Sequence, residues 1–488
     1  MKLRDLCTVL PDVDPDALPA IEVVGVQDDS RRVSTGDVFV ARVGSIIDGA
    51  NYAEDARRRG AVAVIAAQQI DLGGAIPVII TGHVAAAAGL LAQRLQGDPS
   101  QQLSVLGVTG TNGKTTTTYL LRHLLAQAGQ ACGLIGTCVT HDGVRERVAN
   151  MTTPGPVETS TLLAGMRDKG CTAAAMEVSS HALDQQRTAG LRFAGAAFTN
   201  LTGDHLDYHG TLENYAAAKA RLFEQLPTGM PAIVNAQDPA ADRMIRDTSG
   251  RVVRFAVNGQ GDYAATDISM DATGCRFTLT TPAGKVKAST KLVGRHNVEN
   301  ALAAVALAGE TFGLSAETLA EALADAPAAP GRLEPVHDGG PVAVLVDYAH
   351  TDDALENVLL ALRPITKGRL KVVFGCGGNR DRTKRPRMAR VAERLADDLF
   401  VTSDNPRTED PATIIRDIKA GLTKRAHVDT DRRQSIRAAI ESAQPGDCVL
   451  VAGKGHEDYQ IIGTTKHTFD DRVECRRVLA ERPMAEAS

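Results

Sequence analysis

Short apolar runs punctuate this chain, each closed by glycine or polar residues and many followed by helical sequence. Leu103-Ser-Val-Leu-Gly-Val108 reads as a buried strand. After a glycine-rich turn the chain continues into Tyr119-Leu-Leu-Arg-His-Leu-Leu-Ala126, read as a helix. Ala173-Ala-Ala-Met176 and Phe193-Ala-Gly-Ala-Ala-Phe198 are two further runs of strand length, and both end in polar groups. Upstream, Gly36–Ala41, Gly60–Ala66 and Ile76–Ile80 predict the strands of a small α/β unit over residues 1–99. Gly97-Asp-Pro-Ser100 predicts a linker, and Pro327-Ala-Ala-Pro-Gly331 marks a second boundary. Residues 100–330 then form a central unit. Residues 331–488 form a third, with strands over 342–346, 370–374, 398–402 and 448–452 in a mostly parallel sheet. A polar tail follows Pro483. The fold class is α/β in three domains.

The turn after Val108 is Thr109-Gly-Thr-Asn-Gly-Lys-Thr-Thr116. Strand, glycine turn and helix N-terminus together make a phosphate cradle: glycines let backbone N–H groups approach an anion, and the helix dipole favours negative charge. Gly110, Thr111, Asn112, Gly113 and Thr116 would line it. Lys114 would reach the β- and γ-phosphates, and the Thr115 hydroxyl would take a magnesium ion. The general phosphate-loop pattern has its first glycine where this chain has Val108, with glycines at Gly107 and Gly110 instead. In open parallel sheets ligands sit beyond the carboxyl ends of strands. Three strands here end in Thr/Lys, Glu/Ser/His and Asp/His, which points to one catalytic crevice in the central domain.

Composition narrows the function class. The chain has 488 residues, a net charge of −5 and 3% aromatics with no Trp, so neither a basic field nor stacking platforms invite nucleic acid. Eight cysteines without a C-x-x-C pair suggest reduced thiols in the cytoplasm. The N-terminus lacks a long apolar stretch, which predicts no signal peptide, and runs such as Val84–Ala92 are too short to span a bilayer.

Other residues carry candidate chemistry beside plainer readings. Glu177, at a predicted strand end, could complete a magnesium shell with Thr115 or be a surface carboxylate. His205 and His209 are four apart, a spacing that suits zinc on a helix face, but no H-E-x-x-H and no third ligand accompany them. Lys219 falls on the apolar stripe of Tyr215, Leu222, Phe223 and Leu226. There it is paired, modified or snorkelling. Gly375-Cys-Gly-Gly-Asn-Arg380 has Arg where a dinucleotide fingerprint has its third Gly. Arg380 and Lys384 therefore read as an anion site or a solvated basic turn. Asp404-Asn-Pro-Arg407 follows a strand and could hold an ammonium and a carboxylate, or be an ordinary turn.

The ordered set Gly110–Thr116, Glu177–His181, Asn200–His205, Leu292–Asn297 with Asn300, and Asp347–His350 resembles the Mur ligase family over nearly the whole chain. Gly375–Asp381, Asp404–Arg407 and Gly453–Glu457 narrow the resemblance to the MurE type, which adds meso-diaminopimelate. Two positions depart from the family pattern: Asp352, where Pro is usual, and Ala50, where His is frequent. The resemblance implies an N-terminal UDP-substrate domain, a central phosphate-loop ATPase sheet and a C-terminal Rossmann-like domain for the incoming amino acid. It implies that Ser30, Thr152, Thr153, Ser179, Gln185 and Arg187 hold a UDP-muramoyl dipeptide. Asn297, Asn300, Arg332 and Asp347 would serve the nucleotide. Arg380, Asp404, Asn405, Pro406, Arg407, Gly453 and Glu457 would hold diaminopimelate. It makes Lys219 a carbamate and, with Thr115, Glu177 and His205, a ligand of one of two magnesium ions. Lys114, Glu177, His205 and Lys219 would then carry catalysis, through an acyl phosphate made from ATP. A monomer in the cytoplasm is expected.

Three rivals remain: a lysine-adding relative, a folylpolyglutamate synthase-like ligase, and a nucleotide-switch GTPase. The last needs an N/T-K-x-D guanine reader. The chain has no Asn-Lys pair, and no Thr-Lys pair with Asp two residues on.

Overall fold

The computed structural model describes residues 1–44, 48–271, 273–336 and 340–481. The polar tail after Pro483 lies outside these. The chain packs as two compact units, Met1–Phe255 with Ala303–Leu314, and Ala256–Leu302 with Ser315–Ser488.

In the first unit, strands Gly25–Gln27, Asp37–Val40, Ala63–Ala66 and Val78–Ile80 form a parallel sheet in that order. Val38, Val40, Ala63 and Ile65 bury one of its faces with the helix Val84–Leu95. The apolar run at Val84 is thus a helix against a sheet. Gly97-Asp-Pro-Ser100 leads straight into a short helix, Pro99–Gln102.

The larger sheet of this unit runs Arg251–Val257, Pro231–Asn235, Phe193–Phe198, Ser104–Thr109, Ala173–Glu177, Cys132–Ile135, Val139–His141 and Glu146–Val148. The first six are parallel and the last two turn back antiparallel. The three strands that sequence singled out are therefore neighbours. Val108 pairs with Glu177 and Thr109 with Phe198, so their polar ends emerge at one edge. Helix Lys114–Gln127 begins with Thr115, Thr116, Thr117 and Thr118, all buried. Four β-branched residues oppose helix propensity. Thr118 Oγ1 donates back to the Thr115 carbonyl at 3.0 Å, and tertiary packing holds the turn.

In the second unit, Tyr263–Asp271, Gly274–Thr281 and Gly284–Thr290 make an antiparallel meander that sequence did not single out. A six-stranded sheet follows, ordered Glu334–Pro335, Ala343–Asp347, Cys448–Ala452, Leu370–Phe374, Asp398–Val401 and His427–Val428. All its pairings are parallel except the first. Separate apolar clusters cover its faces, one around Leu370, Val372 and Met388, the other around Val344, Val373 and Ile436. Thr351 caps the helix Asp352–Leu362, which places Asp352 at its first position. Proline and aspartate both suit that position, one by its fixed φ and the other by the dipole. Asp352 also pairs with Arg387 at 3.1 Å. Among the described residues no helix is long and apolar enough to cross a membrane.

Beneath the carboxyl ends of this sheet lies a fully buried ion pair. Arg432 contacts both oxygens of Asp471, at 2.7 and 2.6 Å. It also donates to the carbonyls of Ser403 (3.3 Å) and Ala452 (2.9 Å). Removing one partner of such a pair strands the other charge, at about 3–5 kcal/mol. Arg432→Met should therefore destabilise the second unit by about that amount in chemical denaturation followed by circular dichroism. A variant within about 1 kcal/mol of wild type would contradict this reading.

Candidate active site

The phosphate turn is built by close backbone packing. Gly110 has φ +152°, and a Cβ there would lie 1.9 Å from Thr199 Oγ1. Gly113, at φ +86°, opens the helix in a left-handed conformation. The Asn112 N–H donates to Asn200 Oδ1 at 2.9 Å, and Thr199 Oγ1 donates to the Asn112 carbonyl at 2.6 Å. The segment after the Phe193–Phe198 strand therefore shapes the loop.

Two lysines meet on one oxygen of this loop. Lys114 Nζ and Lys219 Nζ each donate to the Gly110 carbonyl at 2.8 Å. Lys219 is only 1% exposed, which removes the snorkelling alternative. Its ammonium sits 4.3 Å from the Tyr215 ring centroid. Burial and the nearby Lys114 charge hold it well below the ordinary lysine range.

Glu177 is 0% exposed, so the surface-carboxylate alternative fails as well. Thr115 Oγ1 donates to its Oε2 at 3.0 Å, Thr137 N–H to Oε1 at 2.8 Å and Thr137 Oγ1 to Oε2 at 2.9 Å. Sequence reasoning missed Thr137. It stands two residues after the strand Cys132–Ile135, so the strand-end rule could have found it. Among the described residues no three His, Cys, Asp or Glu side chains are grouped to hold a metal ion. Magnesium prefers oxygen and takes few protein ligands beside phosphate. Thr115 and Glu177, two oxygen donors in contact, fit it. Lys219 would join only as a carbamate, which has oxygens to offer.

His205 adopts φ +54° just before the short helix Leu206–His209. His209 Nε2 is taken up by Ser180 Oγ at 3.0 Å. The His205 and His209 rings both face His181, at 4.9 and 5.4 Å, and Tyr215, at 6.0 and 5.2 Å. Burial and the neighbouring His205 and His209 hold His181 below its usual range.

Beside Glu177 the residues expected to hold the substrate gather. Thr152 Oγ1 is 3.0 Å from Thr137 Oγ1. Thr153 Oγ1 donates to the Glu177 carbonyl at 2.9 Å and accepts from Ser179 N–H at 3.0 Å. Arg187 donates to Gln185 Oε1 and, at 3.0 Å, to the Thr153 carbonyl. Arg42, also missed by sequence, bonds the Gln185 carbonyl and pairs with Asp28 at 3.1 Å, two residues from the buried Ser30.

In the second unit, Asn300 Nδ2 donates to Asn297 Oδ1 at 3.1 Å, and Asn297 Nδ2 to the Val293 carbonyl at 2.8 Å. Asp347 accepts the N–H groups of Leu333 and Ala349, each at 2.7 Å, and burial pushes its carboxyl up. Arg332 stacks 4.6 Å from the Tyr348 ring.

A second constellation lies at the carboxyl ends of the C-terminal sheet. Arg407 has φ +52°, outside the usual range for a side-chain-bearing residue. Its N–H donates to the Ile461 carbonyl at 3.0 Å, and its carbonyl accepts from Gly463 N–H at 2.7 Å. These bonds to the hairpin Tyr459–Ile462/Thr465–Thr468 fix the conformation. Arg407 Nη1 donates to the Gly378 carbonyl at 2.9 Å, which brings in the glycine-rich turn. Against burial, Lys454 and Arg432 hold the Asp404 carboxyl below its usual range. Gly453, at φ +119°, leaves room for it: a Cβ would lie 2.8 Å from Asp404 Oδ2. Asn405 Nδ2 donates to Glu457 Oε2 at 2.8 Å. Arg380 is exposed on the rim, bonded to its own turn at the Asn379 carbonyl. Lys384 Nζ donates to the His350 carbonyl at 2.8 Å.

Comparison with known proteins matches residues 22–95 to the Mur ligase family, catalytic domain, and 108–308 to the Mur ligase middle domain. Residues 331–455 match the Mur ligase, glutamate ligase domain. A Synechococcus elongatus protein named UDP-N-acetylmuramoyl-L-alanyl-D-glutamate–2,6-diaminopimelate ligase is 47% identical, over 99% of this chain and 100% of its own. One of the same name from Geobacillus kaustophilus is 44% identical over 99% and 100%. A solved structure of a ligase of that name aligns at TM-score 0.73 and 35% identity, covering 99% of both chains. The Thermotoga maritima MurF ligase in complex with ADP shares the fold at TM-score 0.62 and 19% identity, covering 88% and 94%. Three domain descriptions matched in order, with such identity sustained from end to end, mean that this chain belongs to the Mur ligase family.

Proposed function

We infer that this protein is an ATP-dependent ligase that joins meso-diaminopimelate to UDP-N-acetylmuramoyl-L-alanyl-D-glutamate, a step in making peptidoglycan precursor. The observation that carries this reading is the end-to-end likeness to ligases of that name. Residues 1–99 would hold the UDP end, 100–330 the nucleotide and the reacting carboxylate, and 331–488 the amino acid. Eight buried cysteines, none in a disulfide among the described residues, suit a reducing cytoplasm, where we take it to act as a monomer.

Ser30, Thr152, Thr153, Ser179, Gln185 and Arg187 orient the dipeptide substrate. Its terminal carboxylate attacks the γ-phosphate of ATP, ADP departs, and an acyl phosphate results. Lys114 spreads the charge that develops on the transferred phosphoryl group. Asn297, Asn300, Arg332 and Asp347 are assigned to the nucleotide. Thr115, Glu177, His205 and a carbamylated Lys219 would hold magnesium, which when bound neutralises phosphate charge. The amine of diaminopimelate then attacks the acyl carbon and phosphate leaves. Asp404, Asn405, Pro406, Arg407, Gly453 and Glu457, with Arg380 at the rim, orient that amino acid. Phosphate release from ATP in the presence of UDP-muramoyl dipeptide tests the reading: diaminopimelate should support it and lysine should not.

Lys114→Ala should lower ligation by on the order of 10³-fold or more while leaving circular dichroism unchanged. Near-normal product formation by that folded variant would remove Lys114 from the chemistry.

Only an uncharged amine attacks carbon dioxide, and burial beside Lys114 favours that form of Lys219. Carbon-13 bicarbonate should therefore give a carbamate signal from the wild type that is missing in Lys219→Ala. An active, magnesium-loaded enzyme without that signal would disprove carbamylation.

Diaminopimelate differs from lysine by one carboxylate, and a planar guanidinium binds carboxylate bidentately. A site left with an unpaired buried polar group discriminates by on the order of 10⁴. Arg407→Ala should raise the KM for diaminopimelate steeply and shrink its advantage over lysine, with ATP binding little changed. Undiminished preference would move the carboxylate reader elsewhere, Arg380 being the first alternative.

A further inference from the structure

Lys454 has no part in the chemistry above, yet its side chain is completely buried. A buried ammonium is costly unless paired, and an apolar side chain would fill the same space without that penalty. Its surroundings are specific. Nζ donates to Asn405 Oδ1 and to Glu457 Oε2, each at 3.1 Å. Asn405 Nδ2 donates to the same Glu457 oxygen at 2.8 Å. Asn405 Oδ1 also accepts from the Ile461 N–H at 3.0 Å. Turning the amide over would set its NH2 against two donors, so the cation fixes its orientation. Both bonds to the Glu457 carboxylate fall on Oε2, which leaves Oε1 for another donor. Glu457 is 17% exposed, so it can be reached from solvent. The Glu457 N–H bonds the Lys454 carbonyl at 3.0 Å, a tight turn that sets the two side chains on one side.

We propose that Lys454 is a positioning residue for the incoming amino acid: it clamps Asn405 and Glu457 together so that Glu457 Oε1 is presented to the ligand's ammonium. This rests on the reading that Asp404–Arg407 and Glu457 bind that amino acid. Lys454 touches no substrate on this view and acts through Glu457. Its cation also balances two acids, Asp404 and Glu457, in a site that takes up a further ammonium.

The test uses the full-length enzyme with ATP, UDP-muramoyl dipeptide and diaminopimelate. Lys454→Met should raise the KM for diaminopimelate roughly tenfold to a hundredfold, the range found when a supporting partner of a binding group is removed. The kcat at saturation, and the KM values for ATP and the dipeptide, should stay within about threefold. In a Glu457→Gln background the same substitution should add far less, because coupled residues are not additive. If the Met variant loses its fold by circular dichroism, Lys454→Gln, which keeps one donor for Asn405, serves instead. An unchanged KM for diaminopimelate overturns the proposal, as does full additivity with Glu457→Gln. So does a loss spread evenly over all three substrates, the mark of a purely structural lysine. A wild type that does not turn over diaminopimelate refutes the functional reading as well, so the two failures are distinguishable.

Discussion

A carboxylate cut off from water must be answered by donors, and much of the first unit is arranged around answering Glu177. Its side chain receives the Thr115 hydroxyl and both the N–H and hydroxyl of Thr137, while its carbonyl takes the Thr153 hydroxyl. Hydrogen bonds to a charged group each contribute about 1.5–3 kcal/mol, and leaving one unmade inside the protein costs at least as much. Thr115 adjoins Lys114, and Thr137 touches Thr152. The loop that carries Thr115 and the loop that carries Thr152 are thus tied through one residue, and neither can shift alone. The pairing of Val108 with Glu177 in adjacent strands sets this up before any side chain is considered.

The same logic recurs in the second unit with the sign reversed. Arg432 is the buried charge, and it is answered by Asp471 and by carbonyls at the ends of two strands. Those carbonyls, of Ser403 and Ala452, come one residue before Asp404 and Gly453. Arg432 thus ties together the two strand ends that lead into Asp404 and Lys454. In both units, polar groups that would be unaffordable alone are made tolerable by mutual satisfaction, and that is what holds a site rigid.

Much of this was legible in the residues themselves. Buried parallel strands read as unbroken apolar runs, and glycine turns mark where they end, so Ser104–Thr109, Ala173–Glu177 and Phe193–Phe198 could be picked out. Lys219 was visible as an anomaly on an apolar stripe. Thr137, Arg42 and Lys454 were not, because their meaning comes from partners 40, 143 and 49 residues away. The meander strands Tyr263–Asp271, Gly274–Thr281 and Gly284–Thr290 escaped because buried apolar positions such as Cys275, Phe277 and Leu279 alternate with polar ones, which leaves no unbroken apolar run to notice.

The constellation around Asp404 and Arg407, proposed above for the amino acid, is assembled from loops that follow Leu370–Phe374, Asp398–Val401 and Cys448–Ala452, three neighbouring strands far apart along the chain. No fragment of the domain contains it. Such non-local pairing forms slowly during folding, because the intervening loops must close first. Whatever binds there stitches three strand ends together. By mass action, a ligand at a hundred times its Kd adds about 2.7 kcal/mol to the stability of everything that must be intact to bind it. Occupancy would therefore register as slower amide hydrogen exchange along all three strands at once, far from the side chains that make the contact.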